Sequence, residues 1–400
     1  MENFLKKATE LGHDIQKLKD GQGIDQIIKV DNISKLKSLL NDGTSATVSS
    51  SNPMSSSKKT PLTIVEKAHD YVFYNCTLTD KDHEQLKSSF PMEVRTISLL
   101  DKTLAPGEGW DLGTSTTPVV INLGTLTMEA GSSIKIANTV LNMSVQTLIR
   151  NVGNTPGTNY DLGIFGVTGT TPSQADHGVN GGVGPSGAGG TCSSGGGIAG
   201  DDGQPGTDGG NGGTGSQGLT GNYGFPSLTA TIKIGSGGIG GSANQFVIYT
   251  RSGDGGQGGQ GGKGGNGGNG GNGGNGATCA CEHTNGGNGG NGGNGLSGGD
   301  GGIGGDATKG NDVYVTVPKG QASKIVKLSS VANPGNGGLG GPGGDPGKGG
   351  SGGSAGGASG CPIGSKGSTG KPGSAGNTGN NGKAGTQTGA PGTIYVNESI

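Results

Sequence analysis

Residues 253–276 of this 400-residue chain read GDGGQGGQGGKGGNGGNGGNGGNG, with glycine at two of every three positions for most of the stretch. Residues 286–305 repeat this pattern with one lapse at Leu296, and glycine holds every third position in residues 197–224, 335–356 and 364–385. Of the 96 glycines, 9 precede residue 151 and 87 follow it. A segment that is about one-third glycine has few apolar side chains to bury, which argues against a helical domain, a doubly wound sheet or a barrel enzyme there.

A period of three is the period of the polyproline-II conformation, which makes no hydrogen bonds within itself. Its backbone groups need partners in other segments. A collagen-like triple helix of three chains is one solution, and side-by-side packing within one chain is the other. The proline content after residue 150, roughly 5%, is far below the 15–20% of collagen-like chains. The pattern therefore favours packing within one chain over an intermolecular triple helix or disorder.

The breaks between the glycine runs are of two kinds that alternate along the chain. One kind is short and polar and carries a cysteine, at residues 191–194, 277–285 and 358–363. The other kind is apolar and strand-like, at residues 228–234, 246–249, 313–317, 325–328 and 393–396. This alternation predicts a chain that runs back and forth, with the cysteine turns at one end and the strands at the other.

The first 150 residues have an ordinary composition and divide further. The sequence predicts a helical attachment segment at 1–43, a Ser/Thr-rich linker at 44–60, a β-rich module at 61–150 and the glycine-rich part at 151–400. The predicted fold class is mainly irregular and β. It comprises short N-terminal helices, a small β module, and a C-terminal bundle of antiparallel polyglycine-II helices with strands at one end and cysteine-bearing turns at the other.

Residues 1–20 have the periodicity of one amphipathic helix, with an apolar seam typical of helix packing. The seam packs either on a local core or against another subunit, and its candidate assembly residues are Phe4, Leu11, Ile15 and Leu18. A second helix is predicted at 32–42, and Thr79 is predicted to cap a short third helix. Residues 63–65 and 71–74 are β-branched or aromatic and are predicted to be strands. The short segments up to residue 150 favour a small sandwich or solenoid.

Charge and the chain start give expectations about partners and location. The net charge is −2 and no basic patch stands out, so nucleic acid is not an expected partner. No apolar run approaches the length of a transmembrane helix. Residues 1–7 are too polar for a signal peptide. A role outside the cell or on a virion would therefore need export without a cleaved signal peptide, for example by lysis.

Five cysteines leave at least one outside any intrachain pair. The candidates for disulfides are the four that follow residue 150: Cys192, Cys279, Cys281 and Cys361. Disulfides, free thiols and a zinc site remain open for them, and Cys279, Cys281 and His283 are the candidate metal ligands. Cys76 lies in a strand-like stretch and is expected to be a buried thiol.

No catalytic constellation is visible, so the protein is expected not to be an enzyme and to need no cofactor. The glycine runs lack the strand–helix context of a phosphate-binding loop. Asparagine repeats at 266, 269, 272 and 275, and again at 288, 291 and 294. These ladders either bind a partner or ice, or their amides cap exposed backbone groups.

The runs at 197–224, 253–276, 286–305 and 364–385, joined by turns, resemble the polyglycine-II bundle proteins. That family includes glycine-rich adhesins at the tips of phage long tail fibres and springtail antifreeze proteins. The adhesin likeness implies an N-terminal part docked on a fibre and distal loops that bind a cell-surface receptor. The cysteine turns and the strands between runs depart from that pattern.

The function expected from the sequence is non-enzymatic receptor binding by the distal turns of a rigid glycine-rich scaffold. Its expected partners are a cell-surface protein or glycan, and a larger fibre reached through the N-terminal helices. A self-assembling filament subunit, which binds identical copies, is the alternative, and an ice-binding protein is a second one. The candidate binding residues are Thr191, Cys192, Ser193, Thr278, Cys279, Cys281, Glu282, His283, Cys361 and Pro362.

Overall fold

The computed structural model describes residues 1–41, 62–152, 160–193, 200–279, 282–357 and 359–399. The predicted linker at 44–60 lies outside these residues. The helices in the described part are α1 (Glu2–Glu10), α2 (Ile15–Lys19), α3 (Ile33–Leu40), α4 (Ile64–Phe73) and α5 (Asp80–Lys87), with a 3₁₀ turn at Ala322–Lys324. None of them is long and apolar enough to cross a membrane.

The helix predictions have mixed outcomes. The single helix expected over residues 1–20 is two short helices, because Gly12 between them adopts a positive φ of 74°. Helix α3 begins after Asn32, whose side chain accepts the Lys35 N–H, and the helix capped by Thr79 is confirmed as α5. The strands predicted at 63–65 and 71–74 are wrong, because both stretches belong to Thr63-capped α4.

Two β-sheets contain the strands of the described residues. The larger sheet has the order β1 (Ile24–Val30), β2 (Met92–Leu104), β4 (Val119–Met128), β6 (Leu141–Arg150), β8 (Ala230–Gly240), β10 (Val313–Val317) and β12 (Ile394–Glu398). The smaller sheet has the order β11 (Ile325–Ser329), β9 (Phe246–Arg251), β7 (Leu162–Phe165), β5 (Ser133–Ala137) and β3 (Gly109–Asp111). All neighbouring pairs are parallel except β1 with β2.

From β2 to β12 the chain alternates between the two sheets, so each strand and the next form part of one coil of a solenoid. Register is maintained from coil to coil: Val313 of β10 lies between Ala230 of β8 and Ile394 of β12. Apolar side chains of both sheets, such as Ile121 and Ile248, meet in one buried core. Helices α3, α4 and α5 cover a second apolar cluster against the larger sheet.

The predicted fold class is therefore wrong. A mainly irregular chain with a small β module and a C-terminal polyglycine-II bundle was expected, whereas the described residues form an α/β fold with sheets of seven and five strands. The reason lies in the apolar breaks of the glycine-rich part. They supply β8 to β12, which continue the sheets begun in the first 150 residues, so the sheets run through both parts of the chain.

The glycine-rich runs are insertions between consecutive strands of the solenoid. We number six of them: run 1 (166–190), run 2 (200–224), run 3 (253–276), run 4 (286–305), run 5 (335–356) and run 6 (364–385). Runs 1 and 2 connect β7 to β8, runs 3 and 4 connect β9 to β10, and runs 5 and 6 connect β11 to β12. No helix or strand is assigned within any of the six.

Backbone hydrogen bonds at every third residue join these runs into two layers. Runs 1, 3 and 5 lie parallel in one layer, as in the Gly178 N–H to Lys263 carbonyl bond of 2.7 Å. Runs 2, 4 and 6 form the other, as in the Gly289 N–H to Ser368 carbonyl bond of 2.9 Å. Between layers the runs are antiparallel, as in the Gly268 N–H to Gly210 carbonyl bond of 2.8 Å. The backbone groups that an isolated run would leave unpaired are thus satisfied by its neighbours.

The glycine content of a run follows its position among the others. Runs 3 and 4 bond to four neighbouring runs each and have the G-G-x pattern, whereas runs 1 and 6 bond to two each and have about one glycine in three among the described residues. A Cβ on Gly268 in run 3 would lie 1.9 Å from the Gly182 carbonyl oxygen. On the outer run 1, a Cβ on Gly182 would meet nothing within 4 Å. Close backbone approach therefore fixes the inner glycines.

Candidate functional site

The cysteine-bearing turns lie where the chain passes from run 1 to 2, from run 3 to 4, and from run 5 to 6. We call the described residues of these turns (191–193, 277–279, 282–285 and 359–363) the distal end. A disulfide joins Cys192 to Cys279 with their Cα atoms 5.8 Å apart, which links the first turn to the second. Thr284 forms an antiparallel bridge with Gly356, which links the second turn to the end of run 5. Each pair of runs with its turn forms one excursion from the solenoid, and the three excursions are joined to one another at the distal end.

Glu282 and Thr284 give the second turn its local shape. The Glu282 N–H donates to the Cys279 carbonyl at 3.1 Å, and the Glu282 carboxylate accepts the Gly200 N–H of run 2. The Thr284 hydroxyl donates to the Ala277 carbonyl at 2.6 Å, and its side chain is buried. Glu282 and Thr284 therefore hold the second turn in shape. Of these two residues, only Glu282 was a predicted binding residue.

The start of run 2 contributes two carboxylates, Asp201 and Asp202, that bond to residues of the distal end. The Thr191 hydroxyl donates to Asp201 Oδ2 at 3.1 Å. Asp202 accepts the Asn285 N–H at 2.6 Å and the Asn285 amide at 3.3 Å. These bonds from Asn285, and then the nearby His283, lower the pKa of Asp202. Asp202 was not a predicted site residue, because its partner lies 83 residues away and no local pattern reveals the contact.

Several side chains of the distal end face solvent and are left for a partner. Thr278, His283 and Pro362 are exposed, and Ile363 has 69% of its surface exposed. Cys192 and Ser193 are also exposed. The mixture of an apolar side chain, an imidazole and hydroxyl groups suits recognition of a partner surface. Ile363 was missed as a binding residue, although its place in the third turn was visible in the sequence.

The other cysteines and the candidate metal ligands have separate places. Cys279 is committed to its disulfide, so it offers no thiolate to a metal, and Cys281 lies outside the described residues. Cys361 is also disulfide-bonded. No group of three or more metal-ligating side chains occurs among the residues that the structure describes. Cys76 is a free, half-buried thiol in the loop after α4 and not in a strand, and burial raises its pKa.

The N-terminal seam is used by the chain itself. Phe4, Leu11 and Leu18 are buried, and the Phe4 carbonyl accepts the Asn122 amide of β4 at 3.0 Å. Ile15 is half-buried in the same small cluster as Phe4. The structure therefore places these four residues in a local core and not at an interface between subunits.

The asparagine ladders are hydrogen-bonded within the layers. Asn266, Asn269, Asn272 and Asn275 of run 3 each accept, through Oδ1, a backbone N–H of run 5 at 2.8–2.9 Å. Asn288, Asn291 and Asn294 of run 4 accept N–H groups of run 6 in the same way. These are the N–H groups of non-glycine residues, which face outward and find no backbone acceptor. The interpretation that the amides cap exposed backbone groups is confirmed.

Comparisons with known proteins add little to this description of the candidate site. No protein-family model matches the chain, and no curated protein matches it. A search of solved structures finds the nine polyproline type II helical bundle springtail antifreeze protein from Granisotoma rainieri. That match has 24% identity over 51% of this chain and 93% of the other, with a TM-score of 0.07. At that TM-score the likeness carries no argument about fold or function.

Proposed function

We propose that this chain is a non-enzymatic binding protein whose distal end contacts a protein or glycan on a cell surface. One observation carries the proposal: three separate excursions from the solenoid meet at one end, where a disulfide joins the first two turns and a β-bridge joins the second turn to run 5, while Thr278, His283 and Ile363 remain exposed. Recognition residues are commonly placed on loops that a rigid scaffold positions.

The scaffold behind the distal end supports this role. Each inner run bonds to its neighbours at every third residue over its whole length, so the turns are held by many parallel and antiparallel bonds. Binding residues that are ordered before they meet a partner lose less conformational entropy on association. The Cys192–Cys279 disulfide and the Glu282–Gly200 bond add order at the end itself.

The expected setting is outside the cell or on a virion, with the base of the molecule attached to a larger assembly. The buried seam leaves the outer faces of α1 to α3 for that attachment. Exposed side chains such as Thr9, Gln16 and Lys35 lie on those faces.

The test is binding of labelled protein to a glycan array and to a panel of bacterial cells measured by flow cytometry. The variant His283→Ala/Ile363→Ser removes exposed contacts and keeps every hydrogen bond described above. The matched control is His177→Ala/Leu339→Ser, because His177 is exposed and Leu339 is 58% exposed, and both lie away from the distal end. We expect the first variant to lose about tenfold or more in affinity and the control to bind normally.

Binding that survives in the distal-end variant and fails in the control would refute the proposal. Binding to no cell and no glycan would refute it as well. Size exclusion and negative-stain microscopy of the same preparation separate it from the filament alternative, which predicts long fibres in place of single particles. A thermal-hysteresis measurement tests the ice-binding alternative.

A further inference from the structure

A polar pocket of about 390 Å³ lies in the base of the molecule, on the outer side of the larger sheet. Its wall comes from α1 and its floor from β6 and β8, with Ser38 of α3 at one side. It is separated from the distal end by the length of the glycine runs. The solenoid, the glycine runs and the distal turns make no use of it.

The wall is one polar face of α1. Asn3, Lys6, Lys7 and Glu10 have the i, i+3, i+4, i+7 spacing that places side chains on the same side of a helix. The adjacent face, which includes Phe4, is buried against the larger sheet. The packing of α1 therefore fixes the direction in which its two lysines point, towards the pocket.

The floor is shaped by an irregularity in the sheet. Ser144 of β6 lies opposite Lys233 of β8, and the register shifts just beyond them, between Val145 and Thr147. A Cβ on Gly235 would lie 2.6 Å from Gln146 Oε1, so glycine there leaves room for this amide at the pocket. Bulges of this kind are frequent beside functional sites, where they redirect a side chain.

The charge of the pocket favours an anion. Lys6 and Lys7 form no ion pair with any residue that the structure describes, so their two ammonium groups supply the positive charge of the pocket. Glu10 contributes a single carboxylate at the end of the α1 face. The Ser144 hydroxyl and the Gln146 amide are neutral hydrogen-bond donors, whereas the Ser38 hydroxyl donates to the Lys35 carbonyl at 2.8 Å.

We propose that this pocket binds a phosphate group. Two lysine ammonium groups, with a hydroxyl and an amide donor in the same cavity, suit a multiply charged oxyanion, since lysine binds phosphate as a point charge without demanding the planar geometry of arginine. The phosphate belongs either to a free small molecule or to a lipid headgroup. The two sources share the same recognition chemistry and differ in the assay that detects them.

The test compares the full-length protein with Lys6→Gln/Lys7→Gln. Isothermal titration with inorganic phosphate detects the free anion, and co-sedimentation with phosphatidylglycerol–phosphatidylcholine vesicles detects a headgroup. The control is Lys366→Gln/Lys371→Gln, which makes the same change in net charge at two exposed lysines of run 6. We expect saturable binding in at least one arm, weakened about tenfold or more by the first double variant and unchanged by the control.

Absence of saturable binding in both arms would overturn the proposal. Equal weakening by the two double variants would also overturn it, because it would show attraction to overall charge and not to the pocket. Circular dichroism and the melting temperature establish that Lys6→Gln/Lys7→Gln remains folded. If that variant melts early, Gly235→Ala, which places a methyl group against Gln146, replaces it with the same expectations.

Discussion

Replacing Gly268 with alanine should destabilise the protein, whereas replacing Gly182 with alanine should not. The two glycines are neighbours in space, in runs 3 and 1. The Cβ of alanine at 268 would lie 1.9 Å from the Gly182 carbonyl oxygen and 2.5 Å from its carbonyl carbon. A Cβ at 182 would point into open space. Comparing the two variants therefore separates the effect of close backbone approach on stability from the general effect of adding a methyl group.

The size of the effect follows from the hydrogen bonds on either side. Run 1 must retreat by roughly 1.5 Å to reach the 3.4 Å of an ordinary contact. The Gly181 bond to Asn266 (2.7 Å) and the Gly184 bond to Asn269 (2.8 Å) would then lengthen beyond hydrogen-bonding range. Overpacking costs about 1–3 kcal/mol and each bond about 1 kcal/mol, while the less flexible unfolded chain returns about 0.4–1 kcal/mol. The net loss is about 2–4 kcal/mol.

Differential scanning calorimetry measures this loss directly. With an unfolding entropy of about 2.1 cal/mol/K per residue, the melting temperature should fall by about 2–5 °C in Gly268→Ala and stay level or rise by about 1 °C in Gly182→Ala. Hydrogen exchange should also accelerate at the amides of Gly181 and Gly184 in the first variant. Equal melting temperatures for the two variants would refute the idea that backbone proximity fixes the inner glycines.

Three further predictions concern the ladder, the base and the distal end. Asn272→Ala leaves an outward N–H of run 5 uncapped and should cost about 1 kcal/mol. Asn377→Ala should cost little, because the Asn377 amide caps no N–H of the described residues, and chemical denaturation compares the two variants. Hydrogen bonds from Lys67 and Thr79 lower the pKa of Asp82 to about 2, so its stabilising effect is present above its ordinary value of 3.8 and lost as the pH falls towards 2. An acid titration of Asp82→Asn should lack that component. Cys192→Ser/Cys279→Ser opens a loop of 87 residues and should lower stability by about 3–4 kcal/mol, read from the denaturation midpoint.

The sequence was informative where the signal is local and periodic. The three-residue period located the glycine runs, and the cysteines located the turns between them, two of which are joined by the Cys192–Cys279 disulfide. Thr79, and Asp31 or Asn32, as candidate caps predicted α5 and α3, because a capping residue acts within one turn of helix; the cap of α3 is Asn32. Thr63, with Glu66 three residues later, is a capping signal of the same kind. The β-branched and aromatic residues of α4 nevertheless led to the incorrect prediction of strands there.

A solenoid was one of two alternatives predicted for the segments up to residue 150, but its strand pairing and its extent could not be predicted in this way. Residues 313–317 are recognisable as a strand, but their position between β8 and β12 depends on pairing with segments about 80 residues away in either direction. Strand order, register and the use of two sheets are properties of such distant pairs. The fold class was wrong for this reason, since the apolar breaks were predicted as strands at one end of the glycine bundle, and their pairing into successive coils of one solenoid was not visible.

The candidate site, like the fold, could be predicted only in part from the sequence. The exposed positions of Thr278, His283 and Pro362 in turns followed from the breaks in the glycine pattern. The roles of Asp202, Gly200 and Thr284 did not, because each bonds to a residue of another excursion or another run. The phosphate pocket is similar: Lys6 and Lys7 share a predictable helix face, whereas the pairing of Ser144 with Lys233 is visible only in the folded sheet.

Site-specific photocrosslinking tests the central claim most directly. A photoreactive amino acid is placed at position 363 in the distal end or at position 339 on run 5, both of which are exposed. Each protein is bound to cells that the wild type recognises, irradiated and analysed by mass spectrometry. The account predicts crosslinks to a surface molecule from position 363 and none from position 339. Crosslinks from position 339 alone would contradict it.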